Sequence, residues 1–283
     1  MMKNIELPVD YNYIGVFLTL GCNLSCSYCI NHTVGLDPKR KHLNSEQWLI
    51  ALSRLTNLRD VPITLQGGEP TIHPGFLDIM DKLNKKVDLL TNLQFDIEKF
   101  VDKVPVEIFN RELPYPAIRV SYHPEQVKLN ELKHKVIKLH ELGYPIGVFS
   151  VEHPKYMKEL HEAQSFFDSH QVIFKYKDLL AELNGKVFGE YKYPGACFSK
   201  ELKSCMCKTS ELLIAPDGSI YRCHHDLYNA KMPIGNILDP EFVIEDKFRE
   251  CTYFGQCNPC DIKLKNNRYQ EFGHCSVTIE SIS

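Results

Sequence analysis

Strand-like and helix-like segments alternate through the 283-residue chain as far as about residue 180. Short apolar runs predict strands, and the longer segments between them carry apolar residues every three or four positions, as one face of a helix requires. This alternation predicts βαβ units and a parallel sheet. Six units indicate a partial (β/α)6 barrel, because an eight-fold barrel typically needs about 250 residues. The expected strands are residues 13–20, 61–66, 87–90, 118–122, 146–151 and 172–176.

The pattern offers two candidates for the fourth strand, and it predicts one further short helix in the C-terminal region. Residues 106–109 and 118–122 both read as extended runs, and we prefer the second as the fourth strand. A short helix or helical turn is expected at 241–250. The helices expected between the strands are 44–55, 76–85, 95–101, 126–142 and 156–168.

Composition excludes several classes of protein. Hydrophobic residues make up 43% and charged residues 24% of the chain, which is an ordinary globular balance. Lys and Arg number 33 against 36 Asp and Glu, so there is no basic excess for a nucleic-acid partner. The first residues lack a charged and then apolar signal sequence, and no apolar run is long enough to span a membrane. We therefore expect a cytoplasmic protein with neither a nucleic-acid nor a membrane partner.

The 11 cysteines are distributed very unevenly. Three lie together near the N-terminus, none lies between residues 30 and 196, and eight lie in the last third of the chain. An odd count without a secretion signal argues against disulfides, and local clusters of thiols favour metal binding. The C-terminal cysteines are Cys197, Cys205, Cys207, Cys223, Cys251, Cys257, Cys260 and Cys275.

The chain is expected to form two domains, 1–184 and 185–283. After residue 185 helical periodicity fades and Tyr, Gly, Pro and Cys increase. Residues 212–214 and 219–221 flank Pro216-Asp217-Gly218, which is a good hairpin turn. Apolar residues are too few there for an independent core, so bound metal would help to hold this small Cys-rich α+β domain together.

Cys22-x3-Cys26-x2-Cys29 places three thiols in one loop directly after the first expected strand. Three thiolates can hold three irons of a cubane cluster and leave the fourth iron open to a ligand. A zinc site completed by His32, or buried free thiols, are the alternatives.

Other polar and glycine residues lie at or near the ends of the following strands. Ligand sites in parallel sheets gather at the carboxyl ends of strands, so the pattern predicts a single site there. These residues are Gly67, Gly68, Glu69, Asn92, Ser121 and Ser150.

The cysteine spacing, with Tyr28 before the last cysteine, and Gly67-Gly68-Glu69-Pro70 after the second strand resemble the radical S-adenosylmethionine (radical SAM) enzymes. The resemblance implies that Cys22, Cys26 and Cys29 bind a [4Fe–4S] cluster. It also implies that the Gly-Gly-Glu-Pro segment binds the methionine amine of SAM.

The resemblance extends less closely to the third and fourth strands. Thr91-Asn92 is similar to a Thr-Asn-Gly motif of the family, but Leu93 replaces the glycine. Ser121 is similar to a polar residue that contacts the SAM ribose. His123 follows it in a sequence that departs from the common family pattern, and Ser150 is a further cofactor-binding candidate.

The C-terminal region resembles the SPASM/twitch domains that follow some radical SAM barrels. Cys207-x10-Gly218-x4-Cys223 matches their hairpin, and Cys205 fits as well as Cys207. With Cys257-x2-Cys260, the resemblance implies one auxiliary [4Fe–4S] cluster. A second auxiliary cluster and a zinc ribbon are the less favoured alternatives, and the remaining cysteines would be buried thiols.

The resemblance implies reductive cleavage of SAM to a 5′-deoxyadenosyl radical, with the electron from a flavodoxin- or ferredoxin-type reductant. The radical takes hydrogen from a small polar metabolite or a short peptide, and the auxiliary cluster favours net oxidation, either dehydrogenation or crosslinking. The alternatives are an epimerase with Cys197 or Cys275 as hydrogen donor and a non-catalytic, metal-stabilised binding protein. His123 is a further catalytic candidate.

Overall fold

The computed structural model describes residues 2–33, 36–56, 59–265 and 273–281. Its strands are β1 (Ile5–Glu6), β2 (Tyr13–Thr19), β3 (Leu55–Thr56), β4 (Ile63–Gly67), β5 (Val87–Thr91), β6 (Ile118–Tyr122), β7 (Ile146–Val151), β8 (Ile173–Lys177), β9 (Glu182–Leu183), β10 (Lys186–Val187), β11 (Lys203–Thr209), β12 (Glu211–Ile214), β13 (Ser219–Tyr221), β14 (Gly235–Asn236), β15 (Arg249–Phe254) and β16 (Val277–Ser281). Its α-helices are α1 (Ser45–Ser53), α2 (Phe76–Lys82), α3 (Ile97–Lys103), α4 (Leu129–Glu141), α5 (Met157–Ser169), α6 (His224–Tyr228) and α7 (Pro259–Ile262).

Six parallel strands make up one side of a nine-stranded sheet, whose order is β14-β13-β12-β2-β4-β5-β6-β7-β8. Strands β2 and β4 to β8 lie side by side in chain order, and one of the helices α1 to α5 lies between each consecutive pair in the sequence. The predicted (β/α)6 arrangement is confirmed. All seven residues of β2 are buried, as expected for a parallel strand covered on both faces.

The helices pack on this sheet through the apolar faces that their periodicity predicts. In α4 the buried residues are Leu132, Val136 and Leu139, which are spaced by four and three positions. Helix α1 begins at a capping box, in which the Asn44 side chain accepts from the Gln47 amide and the Gln47 side chain accepts from the Asn44 amide. No described helix is long and apolar enough to cross a membrane.

The structure confirms the preferred fourth strand and overturns the helix expected at 241–250. Residues Ile118–Tyr122 form β6, whereas Val106–Phe109 form a 3-10 turn. In the C-terminal segment, Phe242 is buried while Glu241 and Val243 are exposed. This alternation has the period of an extended chain, and the segment runs without a helix into β15.

The barrel sheet continues beyond residue 184. Strand β12 pairs in parallel with β2, with Leu212 opposite Ile14, and β13 completes the predicted hairpin. Strands β15, β11 and β16 form a separate three-stranded sheet. The proposed boundary at 184/185 therefore separates segments that share one sheet, and it stays a prediction.

Candidate functional site

A cavity of about 490 Å³ lies at the carboxyl ends of the barrel strands. Cys22, Cys26 and Cys29 all line it, with Cys26 buried and Cys22 exposed. The strand-end residues that the sequence singled out are largely brought together here. The cavity is also lined by Leu20, Leu24, Ser25, Asn31, Leu36, Pro38, Gln66, Gly67, Gly68, Glu69, Leu90, Thr91, Asn92, Ser121 and His123.

Burial and neighbouring thiols disfavour free thiolates in this loop. Burial, followed by the nearby Cys29 thiol, raises the pKa of Cys26 to about 12. Such thiols ionise when a metal replaces the proton, and three sulfur ligands facing one cavity fit an iron–sulfur cluster with one open iron. The residues present therefore fit the cluster that the sequence implies.

Gly67 and Gly68 bring the loop after β4 into contact with the loop after β2. The Gly68 amide donates to the Thr19 carbonyl over 3.0 Å, and the Glu69 amide donates to the Gly21 carbonyl over 2.8 Å. A Cβ on Gly68 would lie 1.9 Å from the Gly21 oxygen, and Gly67 has a φ of +144°. Glycine is required at both positions because the two loops approach so closely.

The Glu69 carboxylate is buried and holds two strand ends together. Its Oε1 accepts from the Thr71 hydroxyl and the Thr91 hydroxyl, each over 2.7 Å, and its Oε2 accepts from the Asn92 amide over 2.7 Å. Burial raises the pKa of Glu69, although these hydrogen bonds act in the opposite direction. Glu69 therefore joins β4 to the end of β5, and its assignment to SAM stays a prediction.

Asn92 lies between that carboxylate and the cysteine loop. Its side-chain amide donates to the Asn23 side chain over 2.7 Å and lies 3.8 Å from the Cys22 sulfur. The next residue, Leu93, has a φ of +57° and is fully buried. The backbone at Leu93 thus adopts the left-handed conformation, although glycine is the residue that usually occupies it.

The remaining cofactor-binding candidates are Ser121, Ser150 and Pro70, and only the first of them is among the described residues that line the cavity. Ser121 lines the cavity. Ser150 is buried and donates its hydroxyl to the Tyr122 carbonyl over 2.8 Å, and it is not among the described residues that line the cavity. Pro70 is buried and begins a 3-10 turn, Pro70–Ile72.

Tyr28 and its neighbours attach the cysteine loop to the ends of β6 and β7. The Tyr28 hydroxyl lies 3.0 Å from Nδ1 of His123, which itself lines the cavity. Glu125 accepts from the hydroxyls of Ser27 and Tyr156, each over 2.9 Å. Burial, followed by the charge of Lys177, lowers the pKa of His123 to about 4. The imidazole is therefore neutral at neutral pH.

A second group of thiols lies in the C-terminal region. The sulfurs of Cys205, Cys207 and Cys251 all lie within 4.8 Å of one another. A space of about 20 Å³ is lined by Cys207, Cys223, Cys251 and Cys257, together with the Arg222 side chain. Cys251, which no sequence motif includes, thus joins three of the predicted ligands.

The other C-terminal cysteines lie elsewhere. Cys260 is not among the described residues that line this space. Burial, followed by the charges of Cys260 and Cys29, raises the pKa of Tyr228. Cys275 donates to the Val277 carbonyl over 2.8 Å, and neither Cys275 nor Cys197 is among the described residues that line the barrel cavity.

Residues 16–108 match the model of a domain family, the Radical SAM superfamily. That segment contains all three loop cysteines and residues 67–70. Such a domain uses a [4Fe–4S] cluster and SAM, and the C-terminal thiols are consistent with an auxiliary cluster.

Two curated proteins are similar to parts of the chain. The PqqA peptide cyclase of Methylorubrum extorquens is 36% identical over 163 residues, which cover 53% of this chain and 40% of that protein. The molybdenum cofactor biosynthesis protein 1 of Homo sapiens is 37% identical over 84 residues, which cover 29% of this chain and 13% of that protein. The chain therefore aligns with less than half the length of either relative.

A solved structure supports the fold. Native anSMEcpe with bound AdoMet and Kp18Cys peptide superposes with a TM-score of 0.54 at 14% identity, covering 83% of this chain and 78% of that one.

Proposed function

We propose that the chain is a radical SAM enzyme that oxidises a peptide. One observation carries the proposal. The three loop cysteines and the Gly67–Gly68 turn line the same cavity at the carboxyl ends of the strands. A cavity of about 490 Å³ has room for a small cofactor and part of a substrate.

Different residues of the chain would bind the cluster and the two ends of SAM. When bound, a [4Fe–4S] cluster and SAM supply the radical that takes a hydrogen atom from a substrate C–H bond. Cys22, Cys26 and Cys29 would hold the cluster through their thiolates. Gly67 and Gly68 hold the loop after β4 against the loop after β2, in the cavity wall where the methionine end of SAM would bind. The Ser121 hydroxyl would bind the ribose.

Oxidation is favoured over epimerisation by the position of the C-terminal thiols. An epimerase needs a thiol that returns a hydrogen atom to the substrate carbon. Cys197 and Cys275 are not among the described residues lining the cavity. In an oxidation the substrate instead loses a further electron and a proton, and an auxiliary cluster would accept the electron.

The peptide substrate is supported by the relative aligned over 53% of the chain, which is named as a peptide cyclase. A small polar metabolite is the alternative substrate.

Anaerobic reconstitution with iron and sulfide, followed by SAM and dithionite, tests the catalytic proposal. We expect 5′-deoxyadenosine to form with the wild-type chain and not with Cys26→Ala. Synthetic peptides encoded by short reading frames beside the gene are then added, and mass spectrometry should show the loss of two hydrogens. Absence of 5′-deoxyadenosine would indicate a binding protein, and oxidation of metabolites alone would exclude the peptide substrate.

A further inference from the structure

The segment that follows the cysteine loop lies at the rim of the barrel cavity and carries a run of positive charge. Pro38 lines the cavity, and the next four residues are Lys39, Arg40, Lys41 and His42. Lys39, Lys41 and His42 are exposed, whereas Arg40 is partly buried. The binding roles proposed above make no use of these side chains.

Arg40 fixes this segment to the hairpin between β12 and β13. Its Nε donates to Asp217 Oδ2 over 2.9 Å and its Nη2 donates to Oδ1 over 3.0 Å, which makes a bidentate pair. Its Nη1 donates to the Leu227 carbonyl over 3.1 Å, and the Leu43 amide donates to the Pro216 carbonyl over 2.8 Å. Because the segment is held at these points, the backbone of the two flanking lysines has a defined position at the surface.

The two lysines keep their positive charge available to a partner. Lys39 and Lys41 form no ion pair with a carboxylate in the part of the chain that the structure describes. Asp37, the acidic residue of the same segment, accepts from the Lys39 amide through Oδ1 over 2.9 Å. The charge of Arg40, in contrast, is already balanced by Asp217.

An exposed apolar side chain lies beside these residues and against the base of the cysteine loop. Ile72 is 43% exposed. Its Cδ1 lies 3.5 Å, and the Pro38 carbonyl oxygen 3.4 Å, from the position that a Cβ on Gly21 would take. The rings of His42 and His73, the residue after Ile72, have their centroids 4.5 Å apart. Because Gly21 directly precedes the first loop cysteine, this surface is continuous with the cysteine loop.

We propose that an acidic one-electron carrier protein docks on this surface and reduces the barrel cluster. The surface consists of Pro38, Lys39, Lys41, His42 and Ile72, and we call it the basic face. The identity of the partner rests on the proposed function, because a redox cluster in the loop needs an electron donor. In the transfer the carrier is oxidised by one electron, which enters the cluster. Unpaired lysines around a small apolar centre suit an acidic partner and a short-lived complex.

Positive charge at the rim of a cavity could also attract an acidic peptide substrate. The position of the basic face favours the carrier. Lys39, Lys41, His42 and Ile72 are not among the described residues that line the cavity, so these side chains lie outside the space where a substrate would react. Ile72 instead packs against the residue before the cysteine loop, which is the part of the surface that an electron donor must approach.

The test uses the reconstituted full chain and a purified flavodoxin of net negative charge. In the double variant Lys39→Glu/Lys41→Glu, we expect the affinity for flavodoxin to fall on the order of ten- to a hundred-fold at low salt. Formation of 5′-deoxyadenosine driven by subsaturating reduced flavodoxin should fall in parallel. With excess dithionite as the reductant, the variant and the wild type should form 5′-deoxyadenosine at the same rate.

The matched control is Lys82→Glu/Lys103→Glu, which makes the same change in net charge. These exposed lysines lie in the last turns of α2 and α3, at the end of the barrel opposite the cysteine loop. The control should keep the wild-type affinity for flavodoxin. An equal loss of affinity in both double variants would overturn the proposal, because net charge alone would explain it.

Unchanged flavodoxin affinity in Lys39→Glu/Lys41→Glu would also refute the proposal, and weaker binding of an acidic peptide alone would assign the basic face to the substrate. Circular dichroism checks that the variant is folded. If it is not, carbodiimide crosslinking of the wild-type chain decides, because Lys39 or Lys41 should be joined to flavodoxin carboxylates. Crosslinks at other lysines only would contradict the docking site. Failure of the proposed function would show instead as absent 5′-deoxyadenosine when the wild type is reduced with dithionite.

Discussion

At the scale of single residues, Glu69 shows how a motif side chain can serve the site through its neighbours. Its carboxylate accepts from Thr71, Thr91 and the Asn92 amide. The motif predicted a direct contact with the SAM amine, whereas the structure shows a carboxylate that fixes the residues around the cavity. The sequence could locate Glu69 at the site, but its partners depend on how β4 and β5 align.

Replacing Glu69 with Gln should therefore weaken SAM binding without removing either cluster. The new amide group would face the Asn92 N–H or the two threonine hydroxyls, and a buried hydrogen bond to a charged group contributes about 1.5–3 kcal/mol. We expect SAM affinity to fall on the order of ten- to a hundred-fold, measured by calorimetry on the reconstituted protein. The exposed Glu112→Gln is the control, and unchanged affinity in Glu69→Gln would contradict the role of the carboxylate.

His123 gives the apo-protein a pH-dependent stability. Its pKa is lowered to about 4 in the folded state, below the value of about 6.5 expected for an unfolded chain. The unfolded state binds more protons between these values, so stability is lost as pH falls from about 6.5 to 4, by up to about 3 kcal/mol. Urea unfolding across this range should show a shallower pH dependence in His123→Gln. The surface variant His161→Gln should keep the wild-type slope, and equal slopes in all three proteins would refute the prediction.

At the scale of elements, the six barrel strands and their helices could be predicted because apolar periodicity is local. The helix expected at 241–250 was wrong because Phe242 packs on the core as part of an extended segment. The position of Cys251 beside Cys205 and Cys207 was not predicted for a related reason, since only the pairing of β15 with β11 brings it there. Contacts between segments that are far apart in the sequence produce no periodic pattern, so the sequence alone does not reveal them.

The close approach of the loops after β2 and β4 predicts a large effect of Gly68→Ala. Its Cβ would meet the Gly21 carbonyl at 1.9 Å, and the backbone must shift to relieve the overlap. We expect a loss of about 3 kcal/mol or more in the free energy of unfolding, together with weaker cluster incorporation. Gly143→Ala, where φ is +84° and nothing lies within 4 Å of the new Cβ, should cost only about 1 kcal/mol. Equal costs for the two variants would argue against a close-contact role.

At the scale of the whole molecule, the two thiol groups should load independently. We expect about eight irons per reconstituted chain, from two [4Fe–4S] clusters. Cys26→Ala should lower this to about four and abolish SAM cleavage, because the barrel cluster would keep only two protein ligands. Iron analysis and a 5′-deoxyadenosine assay measure both effects. Complete loss of iron in Cys26→Ala would show that the two sites depend on each other.

Because β12 pairs with β2, the barrel sheet can be completed only late in the synthesis of the chain. Strand β2 is made first and carries the cysteine loop at its end, yet one of its two neighbours is Glu211–Ile214, almost two hundred residues later. Until that strand emerges, one edge of β2 lacks its partner, and Phe17 lacks the rings of His224 and Tyr228. The barrel is thus finished late in translation, so a nascent chain truncated before β12 would present an open sheet edge to chaperones and to other nascent chains.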